Sequence, residues 1–374
     1  MLGSGPDVEL GVVVVTTSPE QESAARRTPP PRARQVVKAV LSLLLVAGIC
    51  YFLWTRIDFG EVRAEIRAMT ALELAILGAI AVWNLLTYAF VWMAVTPGLS
   101  FGRAMVMTQS TTAVSNTVPG GSAIGIGMTY SMLGSWGHSR SKATTAVLVS
   151  GVWNSFIKLG LPVFALGAVA LLGSASGGRV IAALAGLGGL VGAIVVFAVV
   201  LRSEGMARQV GLWAGRVTSR VLALVHRPPV AGWETATVRF RSRTVDLLEH
   251  GWLPITVTSL VSHLSLYLVL LVALRQVGVG EAEVAWAEVL AVFAFARLAT
   301  AIPFTPGGIG VVEAVLIGGL VAAGGVAAQV TAAVLVYRAL TWGLPVLVGI
   351  GTYLWWRRRS LVEVAKPAPS AVQS

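Results

Sequence analysis

Charged residues are scarce in this sequence. They make up 12% of its 374 residues, whereas 56% of the residues are hydrophobic. A soluble domain carries about 25% charged residues, so the composition excludes an ordinary soluble protein. Apolar segments inside a bilayer must satisfy their backbone hydrogen bonds internally, which helices do. We therefore predict an all-α polytopic membrane protein.

Cysteine is almost absent as well. Cys50 stands alone, which excludes an internal disulfide and a zinc site built from cysteines. The sequence also shows no metal-ligand cluster, no nucleophile–base pairing and no nucleotide motif. We expect no metal, no other cofactor and no enzymatic activity, and a membrane-embedded enzyme is the least favoured class of function.

Acidic residues are the rarer of the two charges. The chain has 17 acidic residues against 28 lysines and arginines, a net charge of +11. The basic residues lie mainly between the apolar stretches, which is typical of cytoplasmic loops and of contact with anionic lipid. We predict cytoplasmic N- and C-termini and no nucleic-acid partner.

Six apolar stretches and two interrupted ones predict about eight transmembrane helices. The six predicted spans are 37–55, 71–95, 144–172, 180–201, 252–274 and 330–356. The interrupted stretches, 104–133 and 286–323, are predicted to be broken-helix or re-entrant elements.

These stretches divide the chain into five predicted parts. They are a disordered cytoplasmic tail (1–36), a first membrane repeat (37–179) with the first span of a second repeat (180–201), a basic cytoplasmic connection with an interfacial helix (202–251), the remainder of the second repeat (252–356) and a cytoplasmic tail (357–374).

Both interrupted stretches contain a Pro-Gly-Gly triplet. The first is Pro119-Gly120-Gly121, and the second is Pro306-Gly307-Gly308, followed by Ile309-Gly310. Proline removes a backbone donor and glycine is a weak helix former, so neither triplet can continue an ordinary helix. The spans around the two breaks follow the same order in opposite directions. This arrangement predicts an inverted repeat, in which broken helices mark the binding site of many transporters.

Ionisable residues lie deep in the predicted helices. Lys158, Arg297 and Arg338 are roughly 12 to 21 Å from the ends of their segments at the rise of an α-helix, and Glu313 follows the second triplet. A helix that restarts after a break presents free N–H groups to an anion, and three cations with one acid favour a phosphate. The predicted ligand-binding residues are Asn116, Pro119, Gly120, Gly121, Lys158, Arg297, Pro306, Gly307, Gly308, Gly310, Glu313 and Arg338.

Structural alternatives exist for several of these residues. Glu313 can form a bridge with Arg297 or Arg338, and otherwise it would meet a cationic headgroup. Arg338 and Lys158 can extend towards the membrane surface. His263, a single histidine on an apolar helix, is expected to be a satisfied core residue.

The second break also carries a resemblance. Ile302-Pro303-x-Thr305-Pro306-Gly307-Gly308-Ile309-Gly310-Val311-Val312-Glu313, followed by Tyr337-Arg338, resembles the lysylphosphatidylglycerol synthase transmembrane-region family over residues 37–356. That family is the flippase-like domain of bacterial multiple peptide resistance factors and of many stand-alone membrane proteins. The resemblance implies a bacterial plasma-membrane protein that moves a lipid between leaflets, with aminoacylated phosphatidylglycerol the best-known cargo.

Two departures limit what the resemblance implies. Synthase members carry a large soluble acyltransferase-like domain after the membrane part, whereas 357–374 follows here, so we do not expect lipid aminoacylation. Many relatives carry charged residues after the first Pro-Gly pair, whereas Ser122–Met132 has none. A lysyl-lipid cargo therefore does not follow from the resemblance.

The expected function is binding and translocation of an anionic or phosphate-linked lipid, either a membrane phospholipid or a polyprenyl-phosphate-linked lipid. The alternative is a non-transporting membrane partner that presents a polyprenyl-linked substrate to a glycosyltransferase. That alternative predicts a stable complex with a membrane transferase.

Overall fold

A computed structural model describes residues 59–118, 120–171, 177–224, 232–300 and 305–364 of the chain. The α-helices of this part are α1 (Phe59–Ala68), α2 (Ala71–Val95), α3 (Phe101–Thr117), α4 (Gly121–Ser135), α5 (Arg140–Leu171), α6 (Gly177–Arg202), α7 (Glu204–Leu224), α8 (Trp233–Gln276), α9 (Trp286–Ala299), α10 (Val311–Ala322), α11 (Ala327–Arg338) and α12 (Leu344–Val364). A 3₁₀ turn (Pro306–Gly308) precedes α10, and a π turn (Ala339–Gly343) joins α11 to α12. The predicted tail 1–36 and span 37–55 lie outside the described residues.

Several helices of the described part are long and apolar enough to cross a membrane. Four meet this condition: Ala71–Val95, Arg140–Leu171, Gly251–Gln276 and the joined segment Ala327–Arg359. A fifth is added if Leu187–Val199 and Glu204–Arg220, which are inclined at 116°, count as one broken span. The prediction of an all-α polytopic membrane protein is confirmed.

The two interrupted stretches fold as helical hairpins. In the first hairpin, α3 and α4 pack together, and the Arg103 guanidinium carbon lies 5.8 Å from the Trp136 ring centroid. The start of α3 and the end of α4 are therefore neighbours. In the second hairpin, α9 packs against α10, and Gly319 is in close contact with Val292. Each predicted break is thus a point where the chain turns back on itself.

A glutamate in the first turn stabilises three helix starts near these hairpins. The backbone N–H groups of Thr70, Ala285 and Gly310 donate to the carboxylates of Glu73 (2.7 Å), Glu288 (3.2 Å) and Glu313 (2.7 Å). An acidic side chain there satisfies a free amide and interacts favourably with the positive end of the helix dipole. The starts of α2, α9 and α10 are therefore fixed by local sequence.

The largest buried apolar cluster surrounds the second hairpin. Phe293 of α9, Leu316 of α10, Leu270 of α8 and Ala333 of α11 are each at most 1% exposed. Large apolar side chains elsewhere point outwards, and Phe164 of α5 is 73% exposed. Protein interiors are close-packed, and this cluster packs the second hairpin against α8 and α11.

Two helices run beyond the boundaries that the sequence suggested. α8 has 44 residues and joins the basic part of the predicted connection 202–251 to the predicted span 252–274 without a break. α7 packs along α8. α12 continues to Val364, past the predicted end of the last span at residue 356.

Candidate functional site

The second hairpin turns through a loop, residues 305–310, that we call the second tip. Gly307, Gly308 and Gly310 adopt positive φ angles of 61°, 69° and 81°, a region that glycine enters without steric cost. The Thr305 hydroxyl donates to the Ile309 carbonyl oxygen across the loop at 2.9 Å. The second Pro-Gly-Gly motif therefore encodes a compact left-handed turn.

One ion pair ties the second tip to α11. The Glu313 Oε1 atom accepts a hydrogen bond from Arg338 Nε at 2.6 Å, and both side chains are 14% exposed. The second oxygen, Oε2, accepts from the Gly310 amide, while Arg338 Nη2 donates to the Gly307 carbonyl oxygen at 3.3 Å. Of the two roles open to Glu313, the structure shows the bridge with an arginine.

The turn of the first hairpin, residues 116–118 and 120–121, is the first tip, and it is uncharged. Pro119 lies outside the described residues. Gly120, the N-cap residue directly before α4, has a φ of 72°. A Cβ atom on Gly121 would overlap the Val114 carbonyl oxygen and lie 2.9 Å from Ser115 Cα. The first tip is therefore closed by direct backbone contact between its two helices.

The two tips meet. A Cβ atom on Gly307 would lie 3.2 Å from Asn116 Cα and would collide with the Trp342 indole, and α3 packs against the 306–308 turn. Only glycine permits this approach, because any side chain at Gly307 would fill the space. The structure thus brings the predicted residues Asn116 and Gly307 together, although they are far apart in sequence.

Two further cations, Lys158 of α5 and Arg297 of α9, lie beside the end of α9. Lys158 Nζ donates to the Thr300 hydroxyl at 3.1 Å, and that hydroxyl donates to the Arg297 carbonyl oxygen at 2.6 Å. Through the Thr300 hydroxyl, the Lys158 ammonium group is linked to the backbone of Arg297.

These two cations lack an acidic partner among the described residues. The ion pairs in that part of the chain are Arg275–Glu281 and Arg338–Glu313. The Arg297 Nε atom is buried and has no hydrogen-bond partner there. Buried charge is costly unless it is paired, so this pair of cations is suited to an anionic ligand.

Three residues of the neighbourhood were not predicted as ligand-binding. Thr300 accepts the hydrogen bond from Lys158, Trp342 lies against Gly307 with its Nε1 buried and unpartnered in the described part, and the His263 side chain is buried on α8. Trp342 follows Arg338 by four residues, and that helical spacing places both on one face. This four-residue spacing is the sequence feature that could have identified Trp342 as part of the site.

The fold and this site define a class of protein: a polytopic helical membrane protein whose two broken helices meet at their turns. The sequence model for the lysylphosphatidylglycerol synthase transmembrane region matches residues 39–349. The chain belongs to that family, and the predicted family is confirmed. It is therefore a membrane protein of the flippase-like family. No curated protein matches the chain.

Proposed function

We propose that this protein binds an anionic or phosphate-linked lipid and moves it between the leaflets of the bacterial plasma membrane. The observation that carries the proposal is the pair Lys158 and Arg297, two partly buried cations without an acidic partner among the described residues. Ionisable residues inside a membrane usually face an interior cavity and mark a substrate pathway. A phosphate group would supply the missing negative charge.

Within this proposal the cations have different roles. Arg338 is engaged by Glu313 and by the Gly307 carbonyl oxygen, so we assign it to positioning the second tip. Lys158 and Arg297 would contact the phosphate. Lysine offers three donors and arginine a planar fork that suits phosphate oxygens, so together they can hold one phosphate from two sides.

We also propose that the membrane part is an inverted repeat. α2 packs on α8, α3 packs along α12, and α9 packs along α5. In an inverted repeat, α2 would correspond to α8, α3 to α9, and α5 to the joined α11 and α12. When each helix is replaced by its counterpart, the same three helix pairs are obtained. In transporters built from such repeats, rocking of one half against the other exposes a central site to each side in turn.

The proposed orientation of the protein in the membrane depends on the position of its basic residues. Arg202, Arg208, Arg216 and Arg220 lie on α6 and α7, between membrane-capable segments. Basic loops remain preferentially in the cytoplasm. We therefore place the α6–α8 connection, and with it both termini, on the cytoplasmic side.

Reconstituted liposomes test the proposed transport. Purified protein would be inserted into vesicles that contain phosphatidylglycerol labelled on an acyl chain with a fluorophore that dithionite quenches. The protein should accelerate quenching of the inner-leaflet pool. Lys158→Ala and Arg297→Ala should each slow transfer by about tenfold or more, because hydrogen bonds to charged groups contribute about 1.5–3 kcal/mol.

Lys142→Ala is the matched control, since Lys142 is an exposed lysine at the start of the same helix. It should transfer lipid like the unmodified protein. Transfer that stays at the protein-free rate for anionic, zwitterionic and polyprenyl-phosphate lipids would contradict the proposed transport. Normal transfer in both cation variants would contradict the proposed site.

A further inference from the structure

His263 of α8 is a buried histidine, and one of its ring nitrogens has no hydrogen-bond partner among the described residues. The residue is 7% exposed, and its Nδ1 atom lies 2.9 Å from the Ser259 carbonyl oxygen. A carbonyl oxygen can only accept, so Nδ1 carries the proton, and in the neutral ring Nε2 holds an acceptor lone pair. Nε2 is buried and has no hydrogen-bond partner among the described residues.

Packing between α8 and α9 places His263 level with Arg297. The rings of Tyr267 and Phe293 lie 5.8 Å apart, whereas Arg275, later in α8, donates to the Val284 carbonyl oxygen just before α9 at 2.9 Å. The two helices therefore run antiparallel at this contact. His263 and Arg297 are each four residues, or about one helical turn, from these rings in the same direction.

Packing between α8 and α5 places Lys158 at a similar level. Trp153 Nε1 donates to the Thr256 hydroxyl at 2.9 Å. Earlier residues of both helices, including Val149 and Leu248, share one apolar cluster, so the helices run in the same direction here. Lys158 is five residues beyond the Trp153–Thr256 contact and His263 seven, which corresponds to about 8 and about 11 Å along the two helices. α5 also packs against α9, so Lys158, Arg297 and His263 lie at neighbouring levels of three adjacent helices.

Lys158, Arg297 and His263 therefore form a cluster of two cations and one hydrogen-bond acceptor. The Arg297 Nε donor and the His263 Nε2 acceptor are both unpartnered in the described part, so they do not satisfy each other. An unmade hydrogen bond at a buried polar atom is costly, and natural proteins pair most such atoms. A ligand that brings both an anion and a donor would satisfy the cluster.

We propose that His263 determines headgroup specificity by accepting a hydrogen bond from a hydroxyl group of the lipid headgroup. This inference rests on the proposed function, in which Lys158 and Arg297 hold the phosphate. The ligand class is then a phosphodiester lipid whose headgroup carries a free hydroxyl, as glycerol and sugar headgroups do. A hydroxyl suits the position better than an ammonium group, because the two neighbouring cations repel positive charge.

Two lipids of equal charge provide the test. Phosphatidylglycerol and phosphatidylpropanol have the same phosphodiester charge and a three-carbon headgroup, but the propanol form lacks the free hydroxyls. In the liposome assay, the unmodified protein should transfer acyl-labelled phosphatidylglycerol about five to ten times faster, the effect of one lost hydrogen bond at a buried site. Equal transfer of both lipids would overturn the inference and leave the proposed function standing. Transfer of neither lipid would also overturn the inference, and it would contradict the proposed function itself only if zwitterionic and polyprenyl-phosphate lipids were not transferred either.

Variants of His263 assign the preference to this residue. His263→Phe removes the acceptor and should bring the ratio of the two rates close to one, mainly by slowing phosphatidylglycerol. His263→Gln, whose amide oxygen can accept, should restore part of the preference. His138→Gln is the control, since His138 is partly exposed outside this cluster, and it should leave the ratio unchanged.

Folding of each variant is checked by monodisperse elution in detergent. If His263→Phe fails this check, the ratio in His263→Gln decides. A Gln ratio between one and that of the unmodified protein supports the assignment. An unchanged preference in a folded His263→Phe protein would show that another group accepts the bond.

Discussion

Both hairpins turn at a Pro-Gly-Gly triplet, but different interactions stabilise the two turns. The first tip is closed by glycine, because Gly121 lies directly against Val114 and Ser115. The second tip is held by Glu313, which accepts from the Gly310 amide and pairs with Arg338. Backbone contact needs no charge, whereas an open left-handed loop needs partners for its exposed groups. The charge in the second half is therefore in part a structural requirement.

A second contrast lies among the cations. Arg338 has a carboxylate and a carbonyl oxygen as partners, whereas Lys158 and Arg297 have no acidic partner in the described part. A charge inside an apolar segment is thus not evidence of ligand binding by itself. The satisfied cation stabilises the fold, and the unsatisfied cations are the ones to assign to a ligand.

The largest effect is expected when the Glu313–Arg338 ion pair that holds the second tip is broken. Arg338→Ala leaves the Glu313 carboxylate largely buried and unpaired, and breaking a buried pair in this way costs about 3–5 kcal/mol. We expect a loss of that size in the free energy of unfolding, measured by denaturant titration in detergent. The double variant Glu313→Gln, Arg338→Gln removes both charges and should lose less than Arg338→Ala alone.

The control for this prediction is Glu281→Ala. Glu281 pairs with Arg275 and accepts from the Trp286 amide at 2.9 Å, but its side chain is 56% exposed. Exposed ion pairs contribute about 0–1 kcal/mol, and one further hydrogen bond contributes about 0.5–1.5 kcal/mol. A loss at Glu281 equal to that at Arg338 would show that the second tip has no special dependence on its ion pair.

The next largest effect is expected when Lys158 is replaced by an acidic residue, which would give Arg297 an acidic partner. Lys158→Glu would place a carboxylate beside Arg297 and imitate the Glu313–Arg338 pair. We expect lipid transfer to fall by about tenfold to a hundredfold, because the phosphate would lose one cation and meet an anion. The free energy of unfolding should not decrease, because Arg297 gains a partner.

Lys142→Glu, at an exposed position on the same helix, should change neither quantity. If Lys158→Glu transferred lipid normally, Lys158 would have no part in holding the phosphate. If it unfolded the protein, the space beside Arg297 would not admit a carboxylate, and the inferred proximity of the two cations would be wrong.

Much of this arrangement could be predicted from sequence. The Pro-Gly-Gly triplets identified both turns, since proline and glycine break helices wherever they occur. The salt bridge of Glu313 was one of two roles that the sequence left undecided, because spacing along the chain does not show which arginine lies opposite the Glu313 carboxylate. Two features depend on contacts between helices: Lys158 and Arg297 have no acidic partner, and His263 Nε2 has no hydrogen-bond partner, among the described residues. No local pattern encodes those contacts.

A smaller effect is expected at the first tip. Gly121→Ala adds a methyl group where it would overlap the Val114 carbonyl oxygen, and overpacking of this kind costs about 1–3 kcal/mol. Gly127→Ala is the matched control in the same helix, because no atom lies within 4 Å of its added Cβ. It should be neutral or stabilise the helix by up to about 1 kcal/mol. Equal effects at both positions would show that backbone contact does not close the first tip.

The smallest effect separates capping from ion pairing. Glu288 and Glu313 occupy the same position in the first turns of α9 and α10, and each accepts from the backbone amide three residues earlier. Glu288 makes no ion pair in the described part, so Glu288→Gln loses only the interaction of its charge with the helix dipole, about 0.3–1 kcal/mol. Glu313→Gln loses the same interaction and also leaves Arg338 without its carboxylate, so its free energy of unfolding should fall severalfold further in the same denaturant titration. Equal losses at the two glutamates would mean that capping alone holds the second tip, and the chemical difference between the two hairpins would then reduce to the conformation of their glycines.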